Sequence, residues 1–201
     1  MQVIGRLIAA LSGAALFYGC ASLVEPDSGA ISGPGTAELD SFRLDGKVSW
    51  RAPDRRGRAS LTWDEALGRT RMVISGPFGS GNAVLEEDLD GARLQLGDRI
   101  ARDIDAGRLL ERELGLRLPV RAARDWVLGR PSSKEAVVTM WEEGGQIGAL
   151  EEAGWSVRFE RYTLVEGFIL PGRIEMKRGA YVVRFVATRW RPGRAEFAAD
   201  G

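Results

Sequence analysis

The residues able to do chemistry are few. The 201-residue chain has no His and one Cys, Cys20, while 28 Lys and Arg balance 28 Asp and Glu. Without imidazole the commonest general base and metal ligand is missing, and a single Cys allows neither an internal disulfide nor a CxxC site. Acidic runs remain at Glu86-Glu87-Asp88, Glu142-Glu143 and Glu151-Glu152. They could supply acid and base or calcium ligands, but none has EF-hand spacing, and such pairs beside glycine-rich turns are expected at solvated strand ends. A Ser with Lys134 could make a nucleophilic dyad, yet no GxSxG elbow accompanies it. The run Gly76-Pro77-Phe78-Gly79-Ser80-Gly81 is glycine-rich, but it lacks both GxGxxG spacing and the following Lys-Ser/Thr of a phosphate loop. Zero net charge leaves no electrostatic footprint for nucleic acid. The expectation is a protein that is not an enzyme and needs no metal or cofactor.

Cys20 is the residue whose setting asks for a reason. Met1 to Arg6 is short and basic, Leu7 to Tyr18 is apolar apart from Ser12 and Gly13, and Gly19-Cys20-Ala21-Ser22 follows. This is the pattern of a secretory signal, too short for a good membrane span of roughly 20 residues. With Cys straight after Gly19 it resembles a bacterial lipoprotein signal, in which Cys20 is acylated and becomes the mature N-terminus. Phe17 and Tyr18 stand where such signals usually carry Leu and a small residue, and an ordinary signal with a chance Cys is the alternative. Residues 21–40 are rich in Gly, Ser and Pro with no period. They read as a tether with an end-to-end distance of about 25 Å. The organisation expected is a signal over 1–19, acylated Cys and tether over 20–40, and one domain over 41–201 whose last residues, 191–201, form a flexible tail.

Period 2 dominates the domain. Phe42, Leu44, Val48 and Trp50 alternate with Arg43, Asp45, Lys47 and Ser49, as in a half-buried antiparallel strand. The pattern recurs at Ala59-Leu61-Trp63, Ala92-Leu94-Leu96, Trp155-Val157-Phe159, Ile174-Met176 and Tyr181-Val183-Phe185. Turn signals at 54–57, 66–68, 88–91, 144–145 and 177–179 separate these strands into a meander. In the middle, Asp105 is placed to cap a helix carrying Ala106, Leu109, Leu110 and Leu114 on one face, stopped by Gly115. A second short helix starts at Pro119, with Val120, Ala123 and Val127 on one face beside Trp126, and ends before Gly129 and Pro131. A mainly β fold follows, a curved antiparallel sheet with helices across its concave side.

Several landmarks, in order, match a known family. Pro77-Phe78-Gly79, Leu118-Pro119-Val120, Trp126-Val127-Leu128-Gly129-Arg130-Pro131, Gly154-Trp155-Ser156-Val157-Arg158-Phe159 with Tyr162, Leu170-Pro171 and Trp190 resemble the outer-membrane lipoprotein receptor LolB family. The resemblance implies an unclosed antiparallel β-barrel covered by a helical lid and enclosing an apolar cavity. It also implies a periplasmic domain, monomeric and lipid-anchored in the inner leaflet of the outer membrane of a Gram-negative bacterium. Such a protein accepts client lipoproteins from a LolA-type periplasmic carrier and inserts them into that membrane. Ala21, rather than Asp, fits the signal for outer-membrane delivery. In the family the residue after the loop proline protrudes and enters the membrane; here it is Phe78, flanked by Pro77 and Gly79. The alternative is that Phe78 folds back on the sheet edge.

Each acyl CH₂ left in water costs ~0.8 kcal/mol, so a long chain costs about 10 kcal/mol. An apolar cavity removes that cost without bond chemistry. Alternation and helix faces nominate Leu44, Val48, Trp50, Leu61, Trp63, Met72, Ile74, Leu94, Leu96, Trp155, Val157 and Phe185, with Leu110, Trp126 and Val127 from the helices. Residue types alone allow these to be an ordinary dry core instead, which would suit a lipid-anchored scaffold or interaction protein. The arginines around Arg55-Arg56-Arg58 and Arg189-Arg191-Arg194 are expected to keep sheet edges soluble and unpaired, with an acidic carrier or lipid headgroups as the alternative.

Overall fold

The computed structural model describes residues 36–76 and 81–197. After a 3-10 turn (Thr36–Glu38), six strands run in succession: β1 (Ser41–Arg51), β2 (Arg56–Ala66), β3 (Arg69–Ser75), β4 (Asn82–Glu87), β5 (Ala92–Leu96) and β6 (Arg99–Asp103). Helices α1 (Ala106–Leu114) and α2 (Val120–Trp126) follow. Then come β7 (Val137–Trp141), β8 (Ile147–Glu152), β9 (Trp155–Val165), β10 (Phe168–Arg178) and β11 (Tyr181–Pro192). All strands join one 11-stranded sheet in the order β6-β5-β4-β3-β2-β1-β11-β10-β9-β8-β7. Every pairing is antiparallel. β6 and β7 are free edges, so the barrel is unclosed, as expected.

Local chemistry explains the hairpins. Leu67-Gly68, Ala153-Gly154 and Glu166-Gly167 each have two residues at positive φ, between 48° and 87°. Two such residues make the turn whose twist matches that of the flanking strands, and Gly in the second place lowers its cost. The β1–β2 turn, expected over 54–57, lies earlier, because Arg56 and Gly57 already pair with Arg51 and Trp50.

α1 has the expected ends. The Asp105 carboxylate accepts from Arg108 N–H at 2.8 Å. Gly115 adopts φ 68°, which lets Leu116 N–H reach back to Leu110 O at 3.1 Å. α2 is shorter than its pattern suggests: Pro119 precedes the first helical residue, and Val127 follows the last, still buried.

Inward residues of nearly every strand and both helices form one core, in which Trp63, Trp126 and Trp155 are fully buried. The expected tail departs from its reading where it is described. β11 runs on to Pro192, Glu196 N–H donates to Asp64 Oδ1 at 2.9 Å, and Arg43 pairs with Glu196 at 2.6 Å. Burial pushes the Asp64 carboxyl up, against the Glu196 amide and Arg43, which favour its ionised form. A buried carboxylate thus gives these residues a place to dock.

Candidate functional site

A cavity of about 870 Å³ opens where β1 and β2 turn, beside the ends of β3, β4, β5, β11 and α1. Its apolar wall is Trp50, Ala59, Ile74, Ala83, Leu96, Leu114 and Val182. The volume lies within the roughly 300–1,000 Å³ of small-molecule sites. Gly57 sets the position of Trp50: a Cβ on residue 57 would overlap the indole, so only glycine lets the ring lie flat against β2. The rim carries Arg51, Arg56, Arg58 and Arg184, and no carboxylate lines the cavity among the described residues.

Gly76 and Gly81 also line it. Between them lie Pro77, Phe78 and Gly79, which are outside the described residues, as is Cys20. The foot of that loop is fastened by Gly76 N–H to Gly81 O at 3.2 Å and by Ser75 Oγ to Asn82 Oδ1 at 2.8 Å.

The helices that cross the concave side are tied down by buried carboxylates. Glu152 Oε2 accepts from the Trp126 indole at 2.7 Å and from Ser132 N–H at 3.0 Å, while its Oε1 accepts from the Ser132 hydroxyl at 2.6 Å. Burial alone would raise the Glu152 carboxyl, but the Ser132 and Trp126 bonds outweigh it and hold the group below its ordinary value. Arg124 pairs with Glu65 at 2.9 Å and donates to Thr70 Oγ1 at 3.1 Å; Arg121 pairs with Glu87 at 3.2 Å. Burial raises the Glu65 carboxyl despite help from Thr70 and Arg124. Trp126 meets Trp155 at 6.2 Å, and Trp155 meets Tyr181 edge-on at 6.4 Å. The Tyr181 hydroxyl donates to Gly115 O at 2.8 Å and accepts from Arg117 N–H at 2.6 Å, which fixes the end of α1.

The residues nominated from sequence divide. Trp50, Ile74 and Leu96 line the cavity, and Val48 lines a smaller depression with Lys47, Arg58 and Arg184 next to it. Leu44, Leu61, Trp63, Met72, Leu94, Leu110, Trp126, Val127, Trp155, Val157 and Phe185 are buried in the packed core behind it. Alternation found the inward face but could not say how far along each strand packing ends and the opening begins. The small Ala59 and Ala83, which make the room, were missed for that reason. Two readings need correction. Glu87 and Glu152 are not solvated strand ends: they are 4% and 5% exposed and bind the lid. Arg56, Arg58, Arg189 and Arg191 do not guard edges, because β2 and β11 lie inside the sheet. Ser132, near Lys134, gives its hydroxyl to Glu152.

The open antiparallel sheet with helices packed on it is a fold shared with solved structures. A LolA-superfamily protein from Nitrosomonas europaea superposes with a TM-score of 0.51 at 10% identity, over 76% of this chain and 86% of that one. A solved domain from Vibrio parahaemolyticus gives 0.51 at 10% identity, over 77% of this chain and 86% of that one. Sequence narrows the class. Residues 40–190 match the family described as outer membrane lipoprotein LolB. The chain is 32% identical over 199 residues to the outer-membrane lipoprotein LolB of Pseudomonas aeruginosa, covering 93% of this chain and 96% of the relative. It is 34% identical over 193 residues to that of Halorhodospira halophila, covering 92% and 94%. The chain belongs to the LolB family.

Proposed function

We propose that this chain is an outer-membrane receptor for lipoproteins, held on the inner leaflet by an acylated Cys20 and facing the periplasm as a monomer. It takes a lipoprotein from a LolA-type carrier, keeps the acyl chains in the arginine-rimmed cavity, and passes them into the bilayer beside Pro77, Phe78 and Gly79. The observation that carries this reading is an apolar-walled cavity of about 870 Å³ at the foot of that loop, in a chain of the LolB family. An open cavity also favours this over a scaffold with a dry core. Moving a chain from one apolar cavity to another and then to a bilayer exchanges large, similar burial terms. The steps need no nucleotide and no bond chemistry. An aromatic ring at position 78 suits the bilayer interface, where Trp and Tyr rings also concentrate.

The test is transfer of a lipidated client from its soluble carrier to liposomes by the unlipidated mature chain. The wild type is expected to accept and deliver; no acceptance would overturn the reading. Phe78→Glu is expected to keep acceptance and lose delivery, and unchanged delivery would remove the loop from the mechanism.

A further inference from the structure

The chain is neutral overall, yet its cations are unevenly placed. Along β1, β2 and β11 the register puts Arg51 directly opposite Arg56, and puts Arg58 and Arg184 on either side of Ser49. Lys47 lies two residues further along β1, beside the same depression as Arg58 and Arg184. Like charges directly opposite one another destabilise a sheet, so folding does not explain the arrangement. The other end of the same strands shows what folding favours. There Arg43 pairs with Asp64 at 3.4 Å and Arg191 with Asp45 at 3.2 Å, and on the neighbouring β3, β4 and β5 Arg71 and Arg93 pair with Glu86 at 3.6 and 3.1 Å. Among the described residues, Lys47, Arg51, Arg56 and Arg58 form no such pair. Arg184 has Glu175, which Lys177 shares. Asp54, in the β1–β2 turn between Arg51 and Arg56, pairs with Arg55 and lines a separate depression.

The band also has a place. It borders the cavity and the foot of the 77–80 loop, since Gly76 and Gly81 share the lining with the arginines. Acyl chains are neutral, so holding them does not call for this charge. Guanidinium groups match phosphate oxygens by paired hydrogen bonds, and basic clusters are drawn to anionic bilayers. We propose that Arg51, Arg56, Arg58 and Arg184 form a docking band for the phosphates of anionic phospholipid headgroups, which sets the cavity mouth against the bilayer. The inference rests on the delivery step proposed above and adds its surface and lipid class. An acidic protein surface is the competing occupant; the shared edge with the foot of the loop to which delivery is assigned above favours the bilayer.

The experiment uses the mature chain with Cys20→Ser, which carries no acyl group, and vesicles of phosphatidylcholine alone or mixed with phosphatidylglycerol. Wild type should float with the mixed vesicles, with binding that falls as salt rises. R56Q/R58Q should lose about fivefold per arginine removed, while R56K/R58K retains most of the binding. R102Q/R189Q removes the same charge away from the band, on β6 and at the other end of β11, and should bind like wild type. Circular dichroism and thermal unfolding check that each variant is folded. Equal binding to both vesicle types, or an equal loss in the distant pair, would overturn the proposal. So would a R56Q/R58Q variant that binds vesicles normally but no longer receives client from the carrier, which would make the band a carrier surface. Failure of wild type to accept client at all would instead count against the receptor reading, whatever the vesicle result.

Discussion

β2, β3 and β4 are treated differently at their two ends. At one end Glu65, Thr70 and Glu87 receive arginines from α2; at the other, Ala59, Ile74 and Ala83 face open space. Buried carboxylates bound to fixed donors hold the first region as one unit with the lid. Small side chains and unpaired cations leave the second open to a ligand. The contrast teaches that stability and function are separated along single strands: the helices are fastened over the packed core, and the opening lies where fastening stops.

The largest expected effect comes from breaking the fastened end. Trp126→Ala removes a fully buried indole and a donor to Glu152; a loss of about 3–5 kcal/mol should show in urea unfolding. Glu152→Gln is next, at about 1–3 kcal/mol near neutral pH, and it carries a pH signature. The folded carboxyl lies below its ordinary value of 4.5, so its contribution is present above about that pH and is lost as pH falls through the folded value. Wild type should therefore lose stability on acidification more steeply than Glu152→Gln. Glu65 works in the opposite sense, because its folded carboxyl is raised and protonation there relieves the folded state. Urea midpoints across a pH series of Glu152→Gln and Glu65→Gln would separate the two.

At the open end the effects fall on binding. Gly57→Ala forces the Trp50 indole away from β2 and toward the cavity. A stability cost of about 1–3 kcal/mol should accompany weaker uptake of a fluorescent fatty acyl probe. Uptake as strong as in wild type would mean that Trp50 does not shape the site. The smallest effect is Arg56→Gln, which relieves the opposition to Arg51 and should raise Tm by about one degree at low salt. A fall would show that the two guanidiniums are compensated.

What the sequence made legible follows the range of each interaction. α1 was readable to its ends because Asp105 and Gly115 act within one turn of the helix. β1 was readable because it alternates over its length. The strands β6 and β7 escaped, since as free edges they bury little: Ile100, Val137 and Trp141 stay exposed and blur the alternation. Glu87 and Glu152 looked like any strand-end acids and Glu65 drew no reading, because their partners on and after α2 are brought in only by the fold. The arginines of β11 were misread for the same reason, as nothing near them reveals that β11 has β1 on its other side.

That pairing of β1 with β11 also sets an order of events. Every other neighbour in the sheet is a sequence neighbour, so β1–β6 and β7–β11 can each grow as a local meander. The junction, where Phe42 meets Trp190 at 5.5 Å and Trp63 at 6.0 Å, requires closing a loop that spans nearly the whole domain. Non-local closure of this kind slows folding. The two meanders become one chamber only once the last strand has been made, and a chain cut before Tyr181 would have walls but no joined interior.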